Sequence, residues 1–174
     1  YKVVMTATAS IDLKPMIDGQ AVPLDEIYAF WSNPRSWSVE GAPEKLASGH
    51  LRILGFLPGD NRVLLARMVD DRITHFTDVV VFNATAGGHE EQNVPLTPAH
   101  RVVGKLSDDV PRPVRQGRVV ARTIPELSDV NKVMWTDWAE VSADGSFILE
   151  AWPATESIQL IALCDGYIAT SGDA

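Results

Sequence analysis

The second half of the chain is a succession of short apolar runs, each closed by turn-forming residues, and this pattern leaves little room for anything but strands. Residues 101–106 (RVVGKL), 117–124 (GRVVARTI), 133–141 (VMWTDWAEV), 146–152 (SFILEAW) and 158–164 (IQLIALC) are rich in Val, Ile, Leu and aromatics. Between them stand Ser107-Asp108-Asp109 with Pro111 and Pro113, Pro125 with Ser128-Asp129, Ala143-Asp144-Gly145, Pro153 and Asp165-Gly166. Branched and aromatic side chains suit a pleated, half-buried surface, whereas Gly, Pro, Asp and Ser interrupt it. Asp144-Gly145 predicts a two-residue hairpin, because both residues tolerate the positive φ that such a turn needs. Within 146–152, Phe147, Leu149 and Ala151 share one face, with Ile148 out of pattern, so one side meets a core.

The first half repeats the theme. KVVMTATASI (2–11), EIYAFW (26–31), HLRILGFL (50–57), RVLLARMV (62–69) and THFTDVVVF (74–82) read as strands, punctuated by Gly19, Pro23, Gly49, Pro58-Gly59-Asp60 and Asp70-Asp71. A helical turn is expected only at GAPEKLAS (41–48), whose Ala, Glu, Lys and Leu are good helix formers. The segment NATAGGHEEQNVPLTP (83–98) holds two glycines and two prolines with little apolar material, the composition of a linker or long surface loop. The expectation is an all-β chain of two domains, residues 1–95 with a C-terminal linker and residues 96–174.

At a spacing of 96, GHLRILGF (49–56) lies over GSFILEAW (145–152), matching Gly49 to Gly145, Leu51 to Phe147, Ile53 to Leu149 and Phe56 to Trp152. LLAR (64–67) returns to the same spacing over LIAL (160–163). Glycine, strand, aromatic, proline, turn and strand recur in order, which reads as a tandem duplication.

Composition narrows function by exclusion. The formal net charge is −8, and each half carries −4, with 12 acids against 8 bases in 1–98 and 11 against 7 in 99–174. A phosphate-backbone binder needs Lys and Arg gathered on one face, so nucleic acid is not an expected partner. Neither a signal peptide nor an apolar run long enough to span a bilayer is present, so no membrane insertion is expected. A chain starting at Tyr1 reads as a processed protein or an excised fragment. The lone cysteine, Cys164, sits in the apolar run IQLIALC and reads as a small buried hydrophobe.

No catalytic set is legible. The histidines are His50, His75, His89 and His100, and no His-x-His pair occurs. His89-Glu90-Glu91 has metal-binding side chains but reads as a solvated acidic loop, and no metal or other cofactor is expected. Asp70-Asp71, Asp108-Asp109 and Asp144-Gly145 are too sparse for calcium. Asp137 and Glu140 are three apart, which on a strand puts them on opposite faces. The remaining signal is aromatic. Trp135 falls with the core-facing positions of its strand and Trp138 with the opposite ones. Trp138, Trp37 in the loop around Pro34, and Trp152 at a strand end are the candidate interaction residues, set against the plainer reading that they pack inside the protein.

Five elements in order resemble the carboxypeptidase regulatory-like family of prealbumin-type (transthyretin-like) β-sandwich domains. They are Val103-Gly104-Lys105-Leu106, Pro113-Val114 with Val119-Val120, Asp144-Gly145-Ser146-Phe147, Trp152-Pro153 and Leu160 to Tyr167. The likeness covers residues 100–170 and, more faintly, 2–82. It implies two tandem sandwiches of Ig-like Greek-key type, the second lacking the closing strand the family would add after Ala174. It also implies an extracytoplasmic accessory module for protein interaction or structural spacing rather than an enzyme. A carbohydrate-binding module using exposed Trp is the first alternative. An enzyme whose histidines converge from distant positions is the second.

Overall fold

The computed structural model describes residues 7–33, 36–41, 43–123, 133, 135–165 and 167–168. Its backbone divides into two compact units, Tyr1–Pro98 with Pro125–Val133, and Ala99–Ile124 with Met134–Ala174. Among the described residues the only helical piece is a 3-10 turn at Leu24–Glu26, and no helix is long and apolar enough to cross a membrane.

The first unit contains β1 (Ala9–Ile17), β2 (Gln20–Ala21), β3 (Ile27–Asn33), β4 (Ser36–Gly41), β5 (Glu44–Lys45), β6 (Leu51–Phe56), β7 (Gly59–Val69), β8 (Arg72–Thr77), β9 (Val80–Ala84) and β10 (His89–Pro98). Hydrogen bonding runs in the order β4-β3-β7-β8-β10-β1-β6-β5, with β2 on β1 and β9 on β7. Strand β10 joins two layers. It runs parallel to β1 from His89 to Pro95, and then Leu96, Thr97 and Pro98 pair antiparallel with β8. Between the layers, Ile11, Leu13, Leu51, Ile53 and Phe56 share one buried cluster with Ile27, Ala29, Val63, Leu65 and Phe82. Phe56 and Phe82 meet edge to face at 4.7 Å, the arrangement that ring quadrupoles favour. Each of the Ile, Leu, Val and Phe side chains contributes about 1.5–3 kcal/mol when fully buried.

Two expectations for this half are corrected. Residues 83–98 are not a linker: β9 ends at Ala84, Thr85 to Gly88 form a turn closed by Gly88 N–H to Thr85 O at 2.8 Å, and β10 follows. Only Val94 and Leu96 of β10 are buried, so a strand with one polar, solvated face has the composition of a loop. The helical turn expected at 41–48 is also absent among the described residues. Glu44–Lys45 forms β5, paired with Arg52 and Leu51, since a few good helix formers cannot nucleate a helix alone.

The second unit contains β11 (His100–Lys105), β12 (Arg118–Thr123), β13 (Thr136–Glu140), β14 (Ser146–Trp152), β15 (Ile158–Cys164) and β16 (Tyr167–Ile168). Strands β11 and β14 form one sheet, and β13-β12-β15-β16 form another. Val119, Ala121 and Ala139 from the larger sheet, and Phe147, Leu149 and Ala151 from the smaller, are buried. The two units share a connectivity. The β6-β1 pairing of the first corresponds to β14-β11 of the second, and β4-β3-β7-β8 corresponds to β13-β12-β15-β16.

The Asp144-Gly145 turn is real, but the hairpin is not. Gly145 has φ +89°, its N–H bonds Ser142 O at 2.8 Å, and Ser142 N–H bonds Ser146 O at 2.8 Å. That is a tight turn with the glycine in the left-handed region. The strands it connects then part: β13 pairs with β12 and β14 with β11, so the turn carries the chain from one sheet to the other.

Candidate functional site

On the larger sheet of the second unit, register decides which side chains share a surface. Val120 pairs with Trp138 on one side and Ile161 on the other, and Arg118 pairs likewise with Glu140 and Leu163. These residues occupy the face away from Val119 and Ala121. Trp138 is 52% exposed and Leu163 45% exposed. The Arg118 guanidinium lies over the Trp138 ring, 4.1 Å from its centroid, a cation–π contact that restrains the indole. Arg122 donates to Gln159 Oε1 at the edge of the same face. The result is an aromatic and aliphatic strip with charged groups beside it.

The three tryptophans named from the sequence separate. Trp138 stands on this exposed face. Trp152 does not serve a surface: it is 3% exposed and its Nε1–H donates to Glu156 O at 3.0 Å, because β14 points it inward at the strand end. Trp37 lies on β4 among side chains outside the described set. Trp135, at 8% exposure, faces inward.

Asp137 and Glu140 do lie on opposite faces, paired with Ala121 and Arg118 respectively. Burial pushes the Asp137 carboxyl above its usual range, with the Trp138 N–H bond opposing it. An acid whose folded pKa is raised contributes stability below its unfolded value, near pH 4, and that contribution is lost as pH rises through the folded value. Asp137→Asn is therefore expected to raise Tm at pH 7, and calorimetry should show the gain shrinking toward pH 4. An equal gain at both pH values would refute this assignment.

The first unit holds a polar cluster of which the sequence showed only His89-Glu90-Glu91, expected as a solvated loop and found instead at the start of β10. Asp12 pairs in register with Arg52 of β6 and Glu91 of β10, and Ser10 pairs with His89. Arg52 grips Asp12 with two bonds, Nε to Oδ1 and Nη2 to Oδ2, both 2.8 Å, and these hold the Asp12 carboxyl below its usual range. His89 Nε2 lies 3.6 Å from Asp12 Oδ2, and His50 Nε2 lies 3.1 Å from Glu91 Oε1. Two of the four histidines thus meet carboxylates, while His75 bonds Thr74 Oγ1 at 3.0 Å and His100 is exposed at the start of β11. His89 also borders a cleft of about 250 Å³ lined by Ser10, Phe82, Asn83 and Gly88. The only trace of its assembly in the sequence is three i, i+2 pairs, Ser10/Asp12, His50/Arg52 and His89/Glu91, whose significance appears once three strands align.

No protein-family model matches the chain, and no curated protein sequence matches it. Among solved structures, a streptococcal ancillary pilin overlaps at TM-score 0.37 and 12% identity, over 97% of this chain and 57% of the pilin. The chain thus spans little more than half that protein's length. A DUF3823 family protein from Parabacteroides merdae overlaps at TM-score 0.36 and 14% identity, over 93% of this chain and 94% of that one. The major pilin subunit of Bacillus cereus, BcpA, overlaps at TM-score 0.39 and 11% identity, over 89% and 63%. The class of the protein is defined by its own strand order: an all-β chain of two units with a common strand connectivity.

Proposed function

We propose that the chain is a non-catalytic accessory module of a larger extracytoplasmic protein, and that it docks a protein partner on the exposed face of β13, β12 and β15. The observation that carries this reading is Trp138, half exposed and held by a cation–π contact with Arg118, continuous with Val120, Ile161 and Leu163. Trp and Arg are the residue types that dominate binding energy at protein interfaces, since a rigid ring and a pre-organised guanidinium lose little entropy on contact. A protein partner suits this face better than a sugar. One side of the indole is already covered by the guanidinium, and the strip continues from Val120 into the aliphatic side chains of Ile161 and Leu163.

The test places a photo-crosslinking amino acid at position 138 of the protein in its native cells. A discrete protein adduct that disappears in Leu163→Asp supports the reading. Adducts with polysaccharide alone, or none, overturn it. Trp138→Ala should leave Tm within about 2 °C of the parent, because an exposed side chain away from a core changes stability by roughly 0.5 kcal/mol or less. Thermal melts check this directly, and a drop as large as that of a core truncation would make Trp138 structural.

A further inference from the structure

We propose that the first unit carries a divalent transition-metal site of the zinc type, formed by Asp12, His89, Glu91 and His50 on the face of β6, β1 and β10 turned away from the core. One ligand atom from each of Asp12, His89 and Glu91 lies within 4.8 Å of the others. Ligands around a tetrahedral zinc at about 2.0–2.2 Å stand roughly 3.3–3.6 Å apart. His89 Nε2 to Asp12 Oδ2, at 3.6 Å, and His50 Nε2 to Glu91 Oε1, at 3.1 Å, already have nearly that spacing. His50 stands outside that group of three and meets it at Glu91, whose largely exposed side chain lies between the two pairs.

The imidazoles are oriented for the task. Ser10 Oγ lies 2.9 Å from His89 Nδ1, and Ser48 Oγ lies 3.0 Å from His50 Nδ1. In the tautomer with the proton on Nδ1, each serine oxygen accepts it and each Nε2 keeps a lone pair toward the carboxylates. A hydrogen bond on the remote ring nitrogen is the usual support of a metal-bound histidine.

His50 supplies an independent sign. Its side chain is only 10% exposed, and its Nε2 is buried with no hydrogen bond of good geometry, lying near Glu91 Oε1 but off the line a bond requires. Leaving a buried ring nitrogen without a hydrogen bond costs about 1–3 kcal/mol, a cost that coordination to a metal would remove.

Arg52 is compatible with the ion. Each Asp12 oxygen bonded to the guanidinium retains a second lone pair, and a bonded ligand carboxylate is held in a fixed orientation. Glu44 stands across from Arg52 on β5 and offsets the guanidinium charge from its other side. Two imidazoles with two carboxylates favour zinc or cobalt over calcium or magnesium, which prefer all-oxygen shells.

The test uses the full chain stripped with a chelator and titrated with Co²⁺, then Zn²⁺. Expected are a visible d–d absorption saturating at about one Co²⁺ per chain, its displacement by Zn²⁺, and a higher Tm with Zn²⁺. His89→Ala and Glu91→Gln, both at exposed side chains and checked for folding by circular dichroism, should each weaken Co²⁺ binding at least ~10-fold. His100→Ala should leave it unchanged. No visible band and no Tm shift would overturn the proposal, as would binding that survives the His89→Ala/Glu91→Gln pair or is lost in His100→Ala.

Discussion

Gly104→Val is expected to destabilise the second unit by roughly 3 kcal/mol or more, the cost of forcing extra atoms into a filled core. A Cβ at Gly104 would stand 2.2 Å from Phe147 Cζ, 2.6 Å from Cε1 and 2.9 Å from Cε2, far inside contact distance. Phe147 pairs with Gly104 across β11 and β14 and is buried, so its ring lies over the glycine and has nowhere to retreat. The backbone at Gly104 is not left-handed, so the demand for glycine here is one of space alone. Urea denaturation followed by tryptophan fluorescence measures the loss. Adding Phe147→Leu should recover part of it, since the smaller side chain vacates the clash. A Gly104→Val protein with an unshifted midpoint would show that Phe147 does not pack as described.

Trp152→Ala should cost about 3–5 kcal/mol, the range for truncating a large buried aromatic. Its ring is buried and its indole N–H is bonded to Glu156 O, so the variant loses both burial and a hydrogen bond. The contrast with Trp138→Ala, expected to be close to neutral, separates a structural tryptophan from a surface one. Both substitutions remove the same side chain from neighbouring stretches of one unit, and they differ in which way the strand points it. Equal losses of midpoint in the two variants would contradict the burial that distinguishes them.

That contrast marks where sequence reading succeeds and where it stops. Alternation along 133–141 separates inward Trp135 from outward Trp138 because side chains change face at every residue of a strand. The same rule cannot place Trp152, which follows Ala151 at the end of β14 where both residues are buried. The Asp-Gly turn was legible because a left-handed glycine is a local requirement. The sheet each flanking strand joins was not, because β13 and β14 offer the same backbone groups to any neighbour. Residues 89–98 escaped notice for a related reason: Val94 and Leu96 are too few to mark a strand, and its pairing with β1 is parallel and distant in sequence.

The polar cluster is the extreme case. Asp12 and Arg52 are 40 positions apart, and Ser10 and His89 are 79 apart. No local pattern joins them, and only the register of three adjacent strands sets their side chains on one face. What the amino-acid order determined by itself was local: which segments are extended, where they turn, and for most strands which face is apolar, since those follow from side-chain sterics and a two-residue period. Tertiary structure decided the partners, and with them Trp138's neighbours and the convergence of two histidines on two carboxylates. Strand pairing is made by backbone hydrogen bonds that carry no residue identity, so position across a sheet is written only in the packing of the whole.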